Sequence, residues 1–518
     1  MQASTQPIAH YTLTMRALAR HPQRIAFRWD GGQLSYAATT AMIAAFQKVF
    51  DDAGLVAGDR LALLTANRPE TWCAGVAAHG LGLAITWLHP LGSLEAQRFQ
   101  LEDSGSTALV VDADAFGDRG GELAAALPNL RIFRLGAADY GTDLLAAAAA
   151  GGAQSPVDRG APERLATLNY TGGTTGRSKG VARSSLGLTR MAIDILADFE
   201  IPNAPRYLAV APISHVTGTN VLPVLLRGGS IHLLPRFDPE RILETVAAER
   251  INFMLMVPTM IYGLLDHPAL GRHDLGSLEL LLYGASAMSP TRLLEGIERI
   301  GPVFSQLYGQ TECYPIAMMP RADHDPAHPE RFSACGFPIS GVEVRLLDDE
   351  GQPVAIGEPG EICVRGPVVM REYWRQPEQT AATLAGGWLH TGDIARADEV
   401  GRLYIVDRKK DMIVSGGFNV YPREIEDTLS SHPAVGMATV VGVPDDKWGE
   451  TVLALVIRRE GAAAAADELI RHVRDRKGPL LAPKRIEFVD SLPLTPLGKI
   501  DKKAIRAGYW AGRERGVG

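Results

Sequence analysis

Cysteine is scarce: Cys73, Cys313, Cys335 and Cys363 are the only four in 518 residues, and no two stand in a CxxC pair. Such dispersal gives neither a disulfide framework nor a zinc site on spacing grounds. Basic excess is also missing. Lys and Arg number 52 against 59 Asp and Glu, a net charge of −7, which argues against nucleic acid as the main partner. No long uncharged run could span a bilayer, and residues 1–20 lack the apolar core of a signal peptide. A cytoplasmic enzyme without a transmembrane segment is therefore expected. What remains is ordinary for a globular enzyme: 46% hydrophobic and 21% charged residues, in a chain long enough for two or more domains.

The most informative stretch is Tyr170-Thr171-Gly172-Gly173-Thr174-Thr175-Gly176-Arg177-Ser178-Lys179-Gly180, directly after the apolar Leu165–Asn169. Glycines let the backbone approach a polyanion, threonine hydroxyls donate to phosphate oxygens, and a lysine adds charge. It is not a Walker P-loop, because Gly180 rather than Ser or Thr follows Lys179. Taken alone, such a tract is also the composition of a surface turn.

Alternation of strands and helices predicts parallel sheets covered by helices. Leu61–Leu64 leads into a helix over Pro69–Leu81, and Leu109–Val111 reads as a buried strand. Ile231–Leu234 precedes a helix over Pro239–Arg250, and Phe253–Met256 precedes another near Pro258–Leu265. Leu280–Leu282 runs into Gly284-Ala285-Ser286 and a helix from Pro290. The alanine-rich Leu144–Gly152, with Gln154–Gly160, predicts a flexible join. From about 336 to 404 alternating segments predict short antiparallel strands in a barrel-like subdomain. Beyond Arg408 a compact α+β unit is expected, with a helix near Pro422 and paired strands over Met437–Val443 and Thr451–Arg458. The predicted fold class is thus α/β: a large N-terminal domain of helix-covered sheets with a β-rich subdomain, and a small mobile α+β C-terminal domain.

Further motifs follow the glycine tract. They are Tyr308-Gly309-Gln310-Thr311-Glu312, His390-Thr391-Gly392-Asp393, Asp407–Asp411 with Ser415-Gly416-Gly417-Phe418-Asn419, and Pro496-Leu497-Gly498-Lys499-Ile500. In this order and at these distances the set resembles the signature of the adenylate-forming superfamily, in its acyl- or aryl-CoA ligase branch. The likeness runs from Leu34-Ser35-Tyr36 to Lys503. Two departures, Gly172 where Ser is frequent and Ser178 where Pro is frequent, leave the threonines and the lysine in place.

The resemblance implies an ATP-dependent carboxylate–CoA ligase that forms an acyl-adenylate and pyrophosphate, then an acyl-CoA thioester and AMP. It implies an N-terminal domain over 1–407, a hinge over 408–411 pivoting at Lys410, and a C-terminal domain over 412–518. Thr171, Gly173, Thr174, Thr175, Gly176 and Lys179 would cradle the phosphates, with Gly284, Ala285 and Ser286 as a wall of the adenine slot. Tyr308 would stack on adenine, Gln306 would bond its amino group, and Gly309 and Thr311 would line the α-phosphate side. Asp393 and Arg408 would hold the ribose. Glu312, with Thr175, would hold Mg²⁺, a hard cation suited to oxygen ligands. Lys499 would be the catalytic lysine, its ammonium stabilising charge that accumulates around the α-phosphate. Gly416, Gly417, Phe418 and Trp448 would serve coenzyme A, although Trp448 reads equally as a core residue.

His215, Val216, Gly218, Tyr283, Leu307, Gly309, Cys313 and Tyr314 would form the acyl pocket. His215 is placed there as a catalytic or lining residue, a packing histidine being the alternative. The pocket set is apolar or aromatic and lacks Arg and Lys, which favours a hydrophobic monocarboxylic acid: aryl, alicyclic or medium-chain. Val216 stands where amino-acid-activating relatives carry an Asp for the substrate ammonium, so amino-acid activation is disfavoured. The partners expected are a small carboxylic acid, ATP and CoA, in a monomer or homodimer. Transfer to a discrete carrier protein is the alternative to free CoA.

Overall fold

The computed structural model describes residues 7–171, 178–286, 288–409, 411–415, 418–445, 448–459, 461–494 and 500–511. Thus Gly173, Thr174, Thr175, Gly176, Lys410, Gly416, Gly417 and Lys499 lie outside the described residues.

Two large sheets organise the N-terminal part. In the nine-stranded sheet the strands Ile25–Trp29, Ser230–Leu233, Arg206–Ala209, Phe253–Met256, Leu280–Tyr283 and Phe304–Gln310 run parallel as neighbours. Cys313–Met319 and Phe337–Pro338 continue it antiparallel at one edge. In the eight-stranded sheet, Ala84–Trp87 lies between Arg60–Leu64 and Leu165–Thr171, all parallel, and Lys179–Ser184 and Glu372–Tyr373 close one edge antiparallel. Central strands such as Phe253–Met256 and Leu280–Tyr283 are wholly buried because both of their faces are covered. One apolar cluster spans elements of both sheets, joining Leu61 and Val110 to Leu255 and Leu282.

The helices start where their caps dictate. Pro69, Pro239, Pro258 and Pro290 each sit at the first helical turn, where a missing N–H costs nothing. Asp238 accepts from the Arg241 amide, and Arg250 ends that helix in the left-handed region.

Two expectations change. The alanine-rich run is a helix, Leu144–Ala150: the Asp143 carboxylate accepts from the Ala146 amide and Leu144 is fully buried. Alanine's helix propensity, given a cap and one buried anchor, outweighs its low complexity. The segment after it is pinned as well, since Gln47 bonds both the amide and the carbonyl of Val157. The β-rich subdomain is an antiparallel sheet in the order Glu343–Leu347, Gly360–Arg365, Leu389–Ala397, Leu403–Arg408. No pairing of its two outer strands occurs among the described residues, so it is an open sheet rather than a barrel. Arg408, where the expected hinge begins, is also the last residue of the sheet's last strand and stands opposite Asp393.

The C-terminal part pairs the long strands Val435–Asp445 and Gly449–Arg458 antiparallel, adds Arg485–Phe488 parallel, and packs the helices Pro422–Ser430 and Ala466–Lys477 over a separate core. Among the described residues no helix is long and apolar enough to cross a membrane.

Candidate active site

A cleft of about 2260 Å³ is lined by both large sheets, the open sheet and the C-terminal part. The strands on either side of the glycine tract reach it: Leu165–Thr171 and Lys179–Ser184 are antiparallel, with Thr171 directly opposite Lys179 and both lining the cleft. The ends of the tract are therefore fixed at the cleft. Tyr170 supports the first strand by donating to Asp103 Oδ2 at 2.6 Å.

Lys179 meets a residue that sequence reasoning missed. Tyr373, on the short edge strand that pairs with Val181, places its ring 4.9 Å below the Lys179 ammonium. The same phenol donates to Glu312 Oε1 at 2.7 Å. Tyr373 thus ties Lys179, at the end of the glycine tract, to the expected metal ligand. Its only sequence signal was an aromatic beside Trp374. A second missed residue, the buried Arg183, bonds the carbonyls of Gln310 and Thr311 and fixes the turn that presents Glu312. Burial lowers the pKa of Arg183, opposed by the nearby Cys313 and Glu312.

Tyr308, Asp393 and Arg408 come together. The Tyr308 hydroxyl donates to Asp393 Oδ2 at 2.6 Å, and Arg408 Nε lies 3.4 Å from Oδ1. Burial, then the Asp393 charge, drives the Tyr308 pKa far upward, so the phenol stays a donor. Gln306, Gly309, Thr311, Ala285 and Ser286 line the cleft nearby. Gly284 lies behind the wall, where a Cβ would come within 2.5 Å of Leu307 Cδ1 and 2.6 Å of its carbonyl oxygen. Ala285 is held at φ +67°, a left-handed conformation that costs a non-glycine residue roughly 1 kcal/mol or more and marks a constrained turn.

Of the expected acyl-pocket residues, His215, Val216, Gly218, Leu307, Gly309 and Tyr314 line the cleft. Tyr283 and Cys313 do not. Tyr283 alternates with Leu282 to the opposite face of its strand, where its hydroxyl meets His324 Nε2 at 3.0 Å. Cys313 is fully buried in a strand covered on both faces. The apolar lining of the cleft also includes Trp72, Val76, Ile85, Trp87 and Met191, from elements that carry none of the motifs. Gly218 is sterically required, since any Cβ would lie 1.8 Å from the Ile213 carbonyl oxygen.

His215 Nδ1 and Ser214 Oγ are 2.7 Å apart, and the His89 ring packs edge-on at 4.9 Å. Burial first, and His89 second, push the His215 pKa down to about 4. The ring is therefore neutral above about pH 5 and takes up a proton only below that. The rate profiles of wild type and His215→Asn should consequently be parallel from pH 5.5 to 8. An acid limb near 6.5 that vanishes in the variant would contradict a neutral His215.

The C-terminal part contributes Ile500, Asp501, Lys502 and Lys503 to the cleft. Lys502 is anchored 2.8 Å from Glu426 Oε1; burial alone would lower its pKa, but Glu426, Asp407 and Asp411 outweigh that and raise it. Phe418 and Trp448 lie outside the cleft and are 60% and 44% exposed, which removes the core reading of Trp448.

A mixed α/β assembly of this kind, ending in a smaller α+β unit, is the fold class of adenylate-forming enzymes. The chain belongs to the AMP-binding enzyme family: that family's model matches residues 14–374, and the model of the AMP-binding enzyme C-terminal domain matches residues 424–499. It is 43% identical to a medium/long-chain-fatty-acid–CoA ligase, FadD8, of Mycobacterium tuberculosis, over 98% of this chain and 91% of that protein. It is 36% identical to a feruloyl-CoA synthase of Amycolatopsis sp, over 96% and 98% respectively. Among solved structures, the amide bond synthetase McbA from Marinactinospora thermotolerans aligns with a TM-score of 0.90 at 33% identity, covering 96% of this chain and all of that one.

Proposed function

We propose that the protein is an ATP-dependent acid–CoA ligase acting on a hydrophobic monocarboxylic acid. The observation that carries this reading is the convergence of Lys179, Glu312, Tyr308, Asp393 and Arg408 on one cleft that Ile500, next to Lys499, also lines. In the first half-reaction the carboxylate oxygen attacks the α-phosphorus and pyrophosphate leaves. In the second, a thiolate attacks the acyl carbon and AMP leaves. Tyr308 and Gln306 would hold the base, and Asp393 with Arg408 the ribose. Thr171 and Lys179, with Gly173, Thr174, Thr175 and Gly176, would hold the phosphates. Glu312 and Thr175 suit Mg²⁺, which supplies charge neutralisation on the phosphate oxygens; Glu312 lines the cleft, and Tyr373 engages only its Oε1.

The acid's chemistry is read from the wall. Trp72, Val76, Ile85, Trp87 and Met191 offer apolar surface, and Arg183 beside them is bound to backbone carbonyls. Relatives named for fatty-acid and feruloyl substrates support a hydrophobic acid without choosing between aliphatic and aryl. We propose the domain partition 1–407 and 412–518 about a 408–411 hinge, with Gly416, Gly417, Phe418 and Trp448 serving CoA once the C-terminal part has turned.

The likeness to an amide bond synthetase raises a second acceptor, an amine attacking the same acyl carbon. A pyrophosphate-release assay over aryl, alicyclic, medium- and long-chain acids, run with CoA and separately with simple amines, tests both readings. Acid-dependent pyrophosphate with a CoA thioester is expected. Amide product without thioester would move the acceptor to an amine, and release of ADP in place of AMP would overturn the whole reading.

A further inference from the structure

We propose a second cation site, separate from the one at Glu312, built by Glu361, Cys363 and His390 for a thiophilic divalent ion of the zinc class. Glu361 and Cys363 stand two residues apart on Gly360–Arg365, so both face the same side of the open sheet. Leu389–Ala397 pairs alongside and sets His390 opposite Cys363. The result is three different donors converging on one point. His390 Nδ1 lies 3.4 Å from Cys363 Sγ and 3.3 Å from Glu361 Oε2, and all three donor atoms fall within 4.8 Å of one another.

The two separations to His390 Nδ1 fit a tetrahedral ion. With zinc bonds of roughly 2.3 Å to sulfur and about 2.0–2.1 Å to nitrogen and oxygen, tetrahedral angles put S and N about 3.5 Å apart and N and O about 3.3 Å apart. The surroundings are those of a prepared site. Glu361 Oε1 accepts from the Gly392 amide at 2.9 Å, which orients the carboxylate. Leu347 and Trp388 pack around the buried Cys363 as an apolar shell. Glu361 and His390 line the cleft, which provides an entry path.

The donor set selects the metal. A thiolate with an imidazole and one carboxylate suits zinc or cobalt and not the oxygen-seeking magnesium. On binding, the Cys363 thiol releases its proton to solvent and sulfur donates to the ion, with no change of oxidation state. Lys409, 3.7 Å from Glu361 Oε2, is the competing cation; it has an alternative partner in Asp349 at 2.6 Å. Because the Lys409 amide bonds the Gly392 carbonyl at 2.8 Å, the site also adjoins the Asp393 strand and the 408–411 segment. Occupancy there would couple a trace metal to the position of the C-terminal part.

Titration of the full-length protein with Co²⁺, followed by absorption, tests the site. One ion per chain is expected, with a near-ultraviolet thiolate-to-cobalt band. Cys363→Ser should abolish the thiolate band, His390→Ala should abolish or alter it, and Glu312→Gln should retain it. Zn²⁺ should displace the cobalt stoichiometrically. A wild-type protein that gives no thiolate band overturns the proposal, as does a band that persists in Cys363→Ser. Should that variant not fold, an unaltered band in His390→Ala overturns it equally.

Discussion

Replacing Lys499 by alanine is expected to slow acyl-adenylate formation by about two to four orders of magnitude, while thioester formation from supplied acyl-adenylate survives. The magnitude is that of removing one preorganised charge from a transition state, roughly 3–5 kcal/mol. Lys499 itself lies outside the described residues, but both flanks of its tract are held. Leu494 and Ile500 form an antiparallel bridge, and the Asp501 amide bonds the Pro493 carbonyl at 2.8 Å. The Asp501 side chain caps the helix Lys502–Tyr509, and Lys502 is locked to Glu426. Residues 500–503 line the cleft, so the C-terminal flank of the tract lies at it. Stopped-flow measurement of each half-reaction separates the outcomes. Equal loss in both would show that Lys499 holds the structure rather than the transition state.

Substituting Lys410 by proline should leave adenylation within a fewfold of wild type and abolish CoA turnover. One orientation of the C-terminal part cannot serve both steps if Ile500 lines the cleft while Phe418 and Trp448 face solvent outside it. The proposed rotation would then fall beside Lys410. Arg408 ends a paired strand, whereas Asp411 is tied to the C-terminal part through Arg506 at 2.7 Å. The change of φ and ψ therefore falls on the residues between them. Proline holds φ near −65°, which is tolerated in the present orientation where φ is already compatible and obstructs the change. The expected signature is about one pyrophosphate per enzyme in a burst with no thioester. CoA turnover at the wild-type rate would refute rotation about Lys410.

The Glu361, Cys363 and His390 cluster bears on both experiments, because Lys409 contacts Glu361 and directly precedes the proposed pivot. Half-reaction assays are therefore best run with and without a zinc chelator.

The sequence by itself determined the elements and the order of the motifs. Proline at first helical turns and acidic or hydroxyl caps are local devices, so the helices at Pro239, Pro258 and Pro290 were legible before any contact was known. So were the strands Phe253–Met256 and Leu280–Tyr283, whose apolar runs need no partner to be recognised. Tyr308, Asp393 and Arg408 could be named because each sits in a recognisable motif, and the fold sets their side chains against one another. Tertiary structure alone decided sides and distant partners. A strand buried on both faces carries apolar residues throughout, so nothing in Leu280–Tyr283 says that Leu282 and Tyr283 belong to different cores. Tyr373 joins Lys179 and Glu312 only because a two-residue edge strand pairs with Lys179–Ser184 across nearly two hundred residues. Cys363 and His390, 27 positions apart, meet through strand register, which the spacing of four cysteines cannot express. The alanine-rich run departs from its compositional reading for the same reason: composition reports propensity, but the burial of Leu144 that fixes the helix belongs to its neighbours.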